Sequence, residues 1–377
     1  MRILILGWYG TETIGDRAIF AGLMQLLSQS LGDINVTVGS LNPFFTERTL
    51  IEDLKIINNF SQGTLKFKII NSKKIKDLKT SVLNSDLIIM GGGPLMDLEE
   101  LSMIEYAFTK AKNNGIKTAV LGCGVGPLFK ENSIKSIINI FKNSDVVVVR
   151  DLSSYDQIRS LKIESKVMVA FDPSVHFVSK ISSTFKSTDS KDYIAVNLRS
   201  FPCEYNSTYT HNNIDQKLVD FIDKLSLEFP NNMIKMIPMH YFDVGNDDRY
   251  FLNKIKFSLN RENIQVQNAP LTLEETIKTF SLSMFNIGMR YHSVILQTLG
   301  NGRNYILDYT EPNKGKIQGF IKDIDKIDFY KERYINLQNH NQDYNFDFSN
   351  YIAQFSFDSL EIGKSEKVYL DAIKNLC

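Results

Sequence analysis

Short, unbroken apolar runs alternate with longer helix-compatible stretches along most of this chain, and that alternation restricts the fold more than any other feature. In the first half the runs fall at residues 3–7, 35–39, 67–70, 87–90, 118–122, 146–149 and 167–170. Helical stretches lie between them at 16–31, 99–113, 133–141 and 153–160. An apolar run without polar alternation is a strand buried on both faces, and such strands separated by helices form a parallel sheet. A segment rich in Ser, Thr and Lys at 179–191 breaks the pattern and reads as a linker. The alternation then restarts, with strands at 193–197, 233–237, 264–267, 285–288 and 305–307 and helices at 214–228, 247–257, 273–280 and 293–299. Residues 358–376 read as a further helix. A chain of 377 residues is too long for one ordinary core. The expected organisation is therefore α/β: a Rossmann-like domain at 1–178, the linker, a second Rossmann-like domain at 192–345, and a helical tail at 346–377. The two domains are expected to face a cleft, with ligands beyond the carboxyl ends of the strands.

Lys plus Arg equals Asp plus Glu at 43 each, which argues against a nucleic-acid partner. Cys123, Cys203 and Cys377 are far apart, which excludes a disulfide scaffold and a cysteine zinc site and fits a reducing compartment. His176, His211 and His340 lack metal-ligand spacing, so no metal is expected. The run Ile3-Leu4-Ile5-Leu6 ends in Gly7 and reads as a strand, not a signal peptide. No apolar run approaches the roughly 20 residues of a membrane span. A cytoplasmic location is expected, with peripheral contact to the inner membrane face left open.

The candidate chemistry sits at strand ends. Asn286-Ile287-Gly288-Met289-Arg290-Tyr291-His292-Ser293 joins a strand to a helix and puts a permanent cation and an acid/base at the junction. The combination suits transfer from an anionic, phosphorylated donor. Arg199 and His240 end two other strands of the same half, each open to a structural or an anion-binding role. Asp308 and Tyr309, with Lys314 and Lys316, would extend the polar rim. In the first half, Gly7-Trp8-Tyr9-Gly10 follows the first strand, and Asp16 is placed to cap the next helix. Gly91-Gly92-Gly93 and the loop holding Cys123 and Gly124 follow two more strands. These glycines fit either close packing or close approach of a ligand to the backbone. Neither a dinucleotide fingerprint nor a P-loop is present. Cys123 reads as a small buried residue, Arg150 as a partner of Asp151 at a helix start, and Asp172 as a turn or site residue.

The ordered motifs G-W-Y-G-T-E-T-I-G-D-R-A-I, D-L-I-I-M-G-G-G-P-L, G-C-G-V-G-P-L, V-V-R-D-L-S-S, F-D-P-S and G-M-R-Y-H-S resemble those of the polysaccharide pyruvyl transferase family, over about residues 1 to 320. The chain departs from the family pattern at Thr13 and Arg17, and in the wide spacing of Tyr309 and Lys316. The resemblance implies an architecture similar to GT-B glycosyltransferases. It also implies an enzyme that moves the pyruvyl group of phosphoenolpyruvate onto two hydroxyls of a saccharide, making a cyclic ketal in cell-surface polysaccharide synthesis. On that reading phosphoenolpyruvate is a co-substrate and no cofactor is needed. Arg290 and His292 are the catalytic pair, and Arg199, His240, Arg290, Ser293 and Lys316 bind the donor. Trp8, Tyr9, Asp16, Gly91, Gly92, Gly93 and Gly124 hold the saccharide acceptor, free or lipid-linked. Two other readings stay open: a nucleotide-sugar glycosyltransferase, and a non-catalytic saccharide-binding protein on the same scaffold.

Overall fold

The computed structural model describes residues 1–163, 166–185, 192–202, 211–242, 246–313, 315–339 and 344–376. The chain divides into two compact units. The first comprises Met1–Glu12, Asp16–Phe177 and Ser359–Cys377, and the second Thr13–Gly15 and Val178–Asp358.

The strands of the first unit are β1 (Arg2–Leu6), β2 (Ile34–Ser40), β3 (Leu65–Asn71), β4 (Leu87–Met90), β5 (Pro94–Leu95), β6 (Lys117–Val125), β7 (Val146–Val149) and β8 (Val167–Val169). They form a parallel sheet in the order β3-β2-β1-β4-β6-β7-β8, with the short β5 pairing β6. Its helices are α1 (Ile14–Leu31), whose first two residues group with the second unit, α2 (Pro43–Phe60), α3 (Ile75–Leu83), α4 (Leu101–Lys112), α5 (Glu131–Lys142), α6 (Leu152–Ser160) and α7 (Pro173–Ser182), which groups with the second unit from Val178 onward. Every residue of β4 is buried, as two covered faces require. Asp151 caps α6 by accepting the Ser154 amide at 2.6 Å, as the sequence suggests. Asp16 does not cap α1. That helix begins two residues earlier at Ile14, so Asp16 lies in its first turn, where a carboxylate is favoured by the helix dipole.

The second unit contains β9 (Tyr193–Asn197), α8 (His211–Glu228), β10 (Met233–Met236), α9 (Asp248–Leu259), β11 (Ile264–Val266), α10 (Leu273–Leu282), β12 (Asn286–Gly288), α11 (Tyr291–Gly300), β13 (Asn304–Asp308), α12 (Lys316–Ile324) and β14 (Tyr334–Asn336). Its strands are parallel in the order β11-β10-β9-β12-β13-β14. A capping box between Thr272 and Glu275 starts α10. Phe285 and Tyr305 pack with Phe348 at centroid distances of 5.2 and 4.8 Å, so residues beyond β14 complete this core.

Two boundaries differ from the sequence reading. α7 runs through Ser182, four residues into the segment read as a linker, because Val178 and Ile181 bury an apolar face; residues 186–191 lie outside the described residues. The last helix, α13 (Ser359–Lys374), groups with the first unit. There Ser365 accepts the Phe171 amide at 2.7 Å, and the Tyr369 hydroxyl donates to the Phe171 carbonyl at 2.7 Å.

Candidate active site

In each sheet the strand order reverses at one place, between β1 and β4 in the first unit and between β9 and β12 in the second. Crevices at the carboxyl ends of such strand pairs are the usual ligand sites of open α/β sheets. The two switch points of this chain are built differently.

At the first, protein side chains fill the space. The Trp8 indole N–H donates to the Pro94 carbonyl at 2.8 Å, and the Tyr9 hydroxyl donates to the Gly91 carbonyl. Both rings are buried, at 6% and 5% exposure. The glycines there make room for these rings. A Cβ on Gly93, whose φ is +68°, would lie 2.2 Å from Trp8 Cδ1, and one on Gly92 would lie 3.1 Å from the Tyr9 hydroxyl. Gly91 faces Leu23 in the same way, and Gly124 faces the Arg150 guanidinium, with a Cβ 2.7 Å from its nitrogens. Trp8, Tyr9, Gly91, Gly92, Gly93 and Gly124, expected to hold the acceptor, are all buried here: the indole and the phenol are hydrogen-bonded internally, and the glycines lie against Trp8, Tyr9, Leu23 and Arg150. Asp16 is the member of that set that remains half-buried, accepting from the Thr11 hydroxyl at 3.1 Å.

Nearby strand ends are also internally paired. Arg150 lies between Asp172 at 3.3 Å and Asp151 at 3.5 Å, all three buried, and Asp172 accepts from the Ser174 amide and hydroxyl. Cys123 donates its thiol to the Met90 carbonyl, and burial raises its pKa to about 12, which fits a structural thiol. His176 is buried against Tyr369 and Ser365.

The second switch point gathers charge. Asn197 ends β9 beside Gly288 of β12. Its amide oxygen accepts the Arg290 backbone N–H at 3.0 Å while its amide nitrogen donates to Ile237 O at 2.9 Å, so one buried side chain ties together the ends of β9, β10 and β12. Arg290 is the N-cap residue of α11, and the Ser293 hydroxyl donates to its carbonyl at 2.7 Å. Ser293 is fully buried and bound there, which corrects its expected contact with a donor.

The Arg290 guanidinium is likewise engaged. Its Nε and Nη2 donate to Asp248 at 2.9 and 2.5 Å, and the two side chains are 9% and 1% exposed. A buried guanidinium requires a paired carboxylate, and Asp248 supplies it. The edge of Arg290 expected to bind the donor is thus engaged in an internal fork with Asp248. Asp248 also accepts the amides of Met239 and His240 at 3.0 and 3.1 Å, which fixes the loop that carries His240.

Tyr309, just beyond β13, collects the cations. The Arg199 guanidinium lies over its ring, 5.4 Å from the centroid. Burial opposes ionisation of the Tyr309 phenol, but the positive charges of Lys316, Arg199 and Arg290 outweigh it and lower its pKa below the usual tyrosine value. Lys316, first residue of α12, also sits 5.8 Å from the centroid of the Tyr291 ring. Tyr309 and Lys316, far apart in sequence for a paired motif, are thereby neighbours in space. His292 is half-buried in the first turn of α11, edge-on to Tyr291 at 5.0 Å. Residues Thr13–Gly15 belong to this unit: Thr13 bridges His240, the Ile14 amide donates to Met239 O at 3.0 Å, and Gly15 packs on the imidazole. A Cβ on Gly15 would lie 2.1 Å from His292 Nδ1.

Arg199, His240, Arg290, His292 and Lys316 are thus all found in the second unit. Lys314, His340, Cys203 and Cys377 lie outside the described residues, as does the side chain of His211. Asp248 and Asn197 were not singled out in the sequence. The Asp247-Asp248 pair signals only a helix start, and Asp247 does accept the Arg249 amide there. Among the described residues no group of His, Cys, Asp and Glu could hold a metal ion, and no helix is long and apolar enough to cross a membrane.

Two parallel-sheet α/β units place the chain in the GT-B-like fold class. It is similar to the Methanocaldococcus jannaschii UDP-GlcNAc 2-epimerase in complex with UDP-GlcNAc and UDP, at 12% identity and a TM-score of 0.55, over 98% of this chain and 93% of that one. It is also similar to Anabaena Alr3699/HepE in complex with UDP, at 10% identity and a TM-score of 0.53, over 100% and 93%. No curated protein matches the sequence. The family model for polysaccharide pyruvyl transferase matches residues 14–296, and the chain belongs to that family of transferases.

Proposed function

We propose that this protein transfers the pyruvyl group of phosphoenolpyruvate to two hydroxyls of a saccharide, forming a cyclic ketal. The observation that carries the reading is the convergence of Arg199, Lys316 and Arg290 on Tyr309, in the same unit as His292 and at a sheet switch point. A donor with a carboxylate and a phosphate needs that density of positive charge.

Arg199 and Lys316 bind the two anionic groups of the donor. Arg290 contributes its charge and, through Asp248, holds the His240 loop. The α11 N-terminus adds its dipole. His292 gives and takes the proton. In the reaction C3 of the enol is protonated, the first acceptor hydroxyl adds to C2, and the C2–O bond to phosphate breaks as the second hydroxyl adds. One hydroxyl proton balances the new methyl group, and the other leaves with inorganic phosphate. Fixed cations and dipoles stabilise the charge that develops on the leaving phosphate.

The test is incubation with labelled phosphoenolpyruvate and candidate oligosaccharides, reading the mass of the product. A pyruvylated saccharide and one phosphate per turnover are expected, and His292→Ala should lose transfer while keeping its melting temperature. Near wild-type turnover of His292→Ala would remove its acid/base role. The fold neighbours in complex with UDP supply the rival, a nucleotide-sugar enzyme. Thermal protection by UDP but not by phosphoenolpyruvate would favour it.

A further inference from the structure

The chain as a whole carries no net charge, but one rim of the first unit does. Between residues 65 and 80 stand six lysines, Lys66, Lys68, Lys73, Lys74, Lys76 and Lys79, with one acid, Asp77. All six lysines are exposed. β3 is the edge strand of its sheet. Along it Phe67 packs on Phe20, whereas Ile70 joins the core cluster that contains Leu78 and Val82 of α3. Strand side chains alternate faces, so Lys66 and Lys68 share the side of the sheet that α3 covers. Asp33 lies close enough to Lys66 to feel its charge.

The nine-residue helix α3 buries Leu78 and Val82 and leaves the stripe flanking them exposed. That stripe reads Ile75, Lys76, Lys79, Leu83, with the two apolar residues 60% and 43% exposed. Aliphatic residues at the ends of a stripe of lysines form an amphipathic surface of interfacial type: the lysine heads meet anionic headgroups, and the aliphatic side chains enter the acyl boundary. A single-stranded nucleic acid would instead need an exposed aromatic face, and the one aromatic of this segment, Phe67, turns to Phe20. We propose that the β3–α3 rim docks on an anionic lipid surface. Lys66 and Lys68 also keep the edge strand from pairing with other chains, so they are left intact in the test.

The test is co-sedimentation of the full chain with vesicles of pure phosphatidylglycerol and of pure phosphatidylcholine. Binding to the first and not the second is expected, and it should vanish near 1 M salt, where the screening length falls to about 3 Å. Each lysine near an anionic surface strengthens partition roughly fivefold, so Lys73→Gln/Lys76→Gln/Lys79→Gln should weaken it about a hundredfold. Ile75→Asp should weaken it as well. The control Lys117→Gln/Lys135→Gln/Lys142→Gln removes three exposed lysines elsewhere on the same unit and should bind like wild type. Equal binding to both vesicles, equal losses in the two triple variants, or binding to single-stranded DNA without binding to vesicles would each overturn the proposal.

Discussion

Replacing Asp248 by alanine would strip two guanidinium nitrogens and two backbone amides of their acceptor at once. The pair it belongs to is nearly dry, with side-chain exposures of 9% and 1%. Deleting one partner of a buried ion pair costs about 3–5 kcal/mol, because the surviving charge is left uncompensated. Each orphaned amide adds roughly 1–3 kcal/mol if water cannot reach it. The contributions overlap, so Asp248→Ala should lose about 4–6 kcal/mol, against the ~5–15 kcal/mol that holds a typical domain. Asp248→Asn keeps one carbonyl acceptor but still leaves the Arg290 charge uncompensated, and should cost about 3–5 kcal/mol. A two-unit chain does not unfold in one step. The assay is therefore native-state hydrogen exchange of the β9, β10 and β12 amides, with β1 and β4 as the internal reference. Protection should fall in the second unit and stay constant in the first. Asp248→Leu/Arg290→Met, which removes both charges, should be less destabilised than Asp248→Ala. A loss below ~1 kcal/mol in Asp248→Ala, or a double variant worse than the single one, would refute the claim that Arg290 is held by a desolvated internal pair.

The remaining predictions concern the site and its supports. Gly15→Ala should push the imidazole by more than an ångström, since all three atoms nearest the added Cβ belong to His292; a drop of about a hundredfold in kcat is expected from steady-state assays. Tyr309 sets a pH dependence: its lowered pKa means the phenol loses its proton below the usual ~10, and the resulting negative charge offsets one of the three cations. Phosphoenolpyruvate affinity, measured by calorimetry, should therefore fall as pH rises toward 10, and Tyr309→Phe should hold its affinity to higher pH. Tyr309→Ala, which removes the ring under Arg199, should weaken donor binding by about 2- to 30-fold at neutral pH. Gly93→Ala combines a positive φ with a clash against Trp8, and should lose about 2–4 kcal/mol in urea titrations of the first unit.

The α/β alternation was legible because buried parallel strands are short and uniformly apolar; β9 falls on the residues read as a strand, 193–197. α2 and α3 were not legible. The first opens with Pro43 at its N-terminus and leaves Phe44 and Ile51 exposed, so its apolar residues do not follow one clean stripe. The second is short and lysine-rich, with only Leu78 and Val82 buried. β14 and α12 were missed for similar reasons of length. Within the site, Arg199, Arg290 and Lys316 stand out in sequence as cations, and His292 as an imidazole, at strand or helix ends. What sequence could not supply was pairing. Whether Arg290 meets a ligand or Asp248 depends on a contact 42 residues away along the chain. Glycine runs are ambiguous in sequence for a related reason: a bulky neighbour such as Trp8 demands an absent side chain as strictly as a ligand does.

The return of α13 to the first unit separates the order of synthesis from the order of assembly. Phe171 is made well before Ser365 and Tyr369, which supply its amide acceptor and its hydroxyl donor. The β7–β8 side of the first sheet therefore emerges from the ribosome unfinished and waits while nearly two hundred residues of the second unit are translated. Through that interval the Phe171 backbone lacks both partners from α13, and its closure follows only after the second unit has been made.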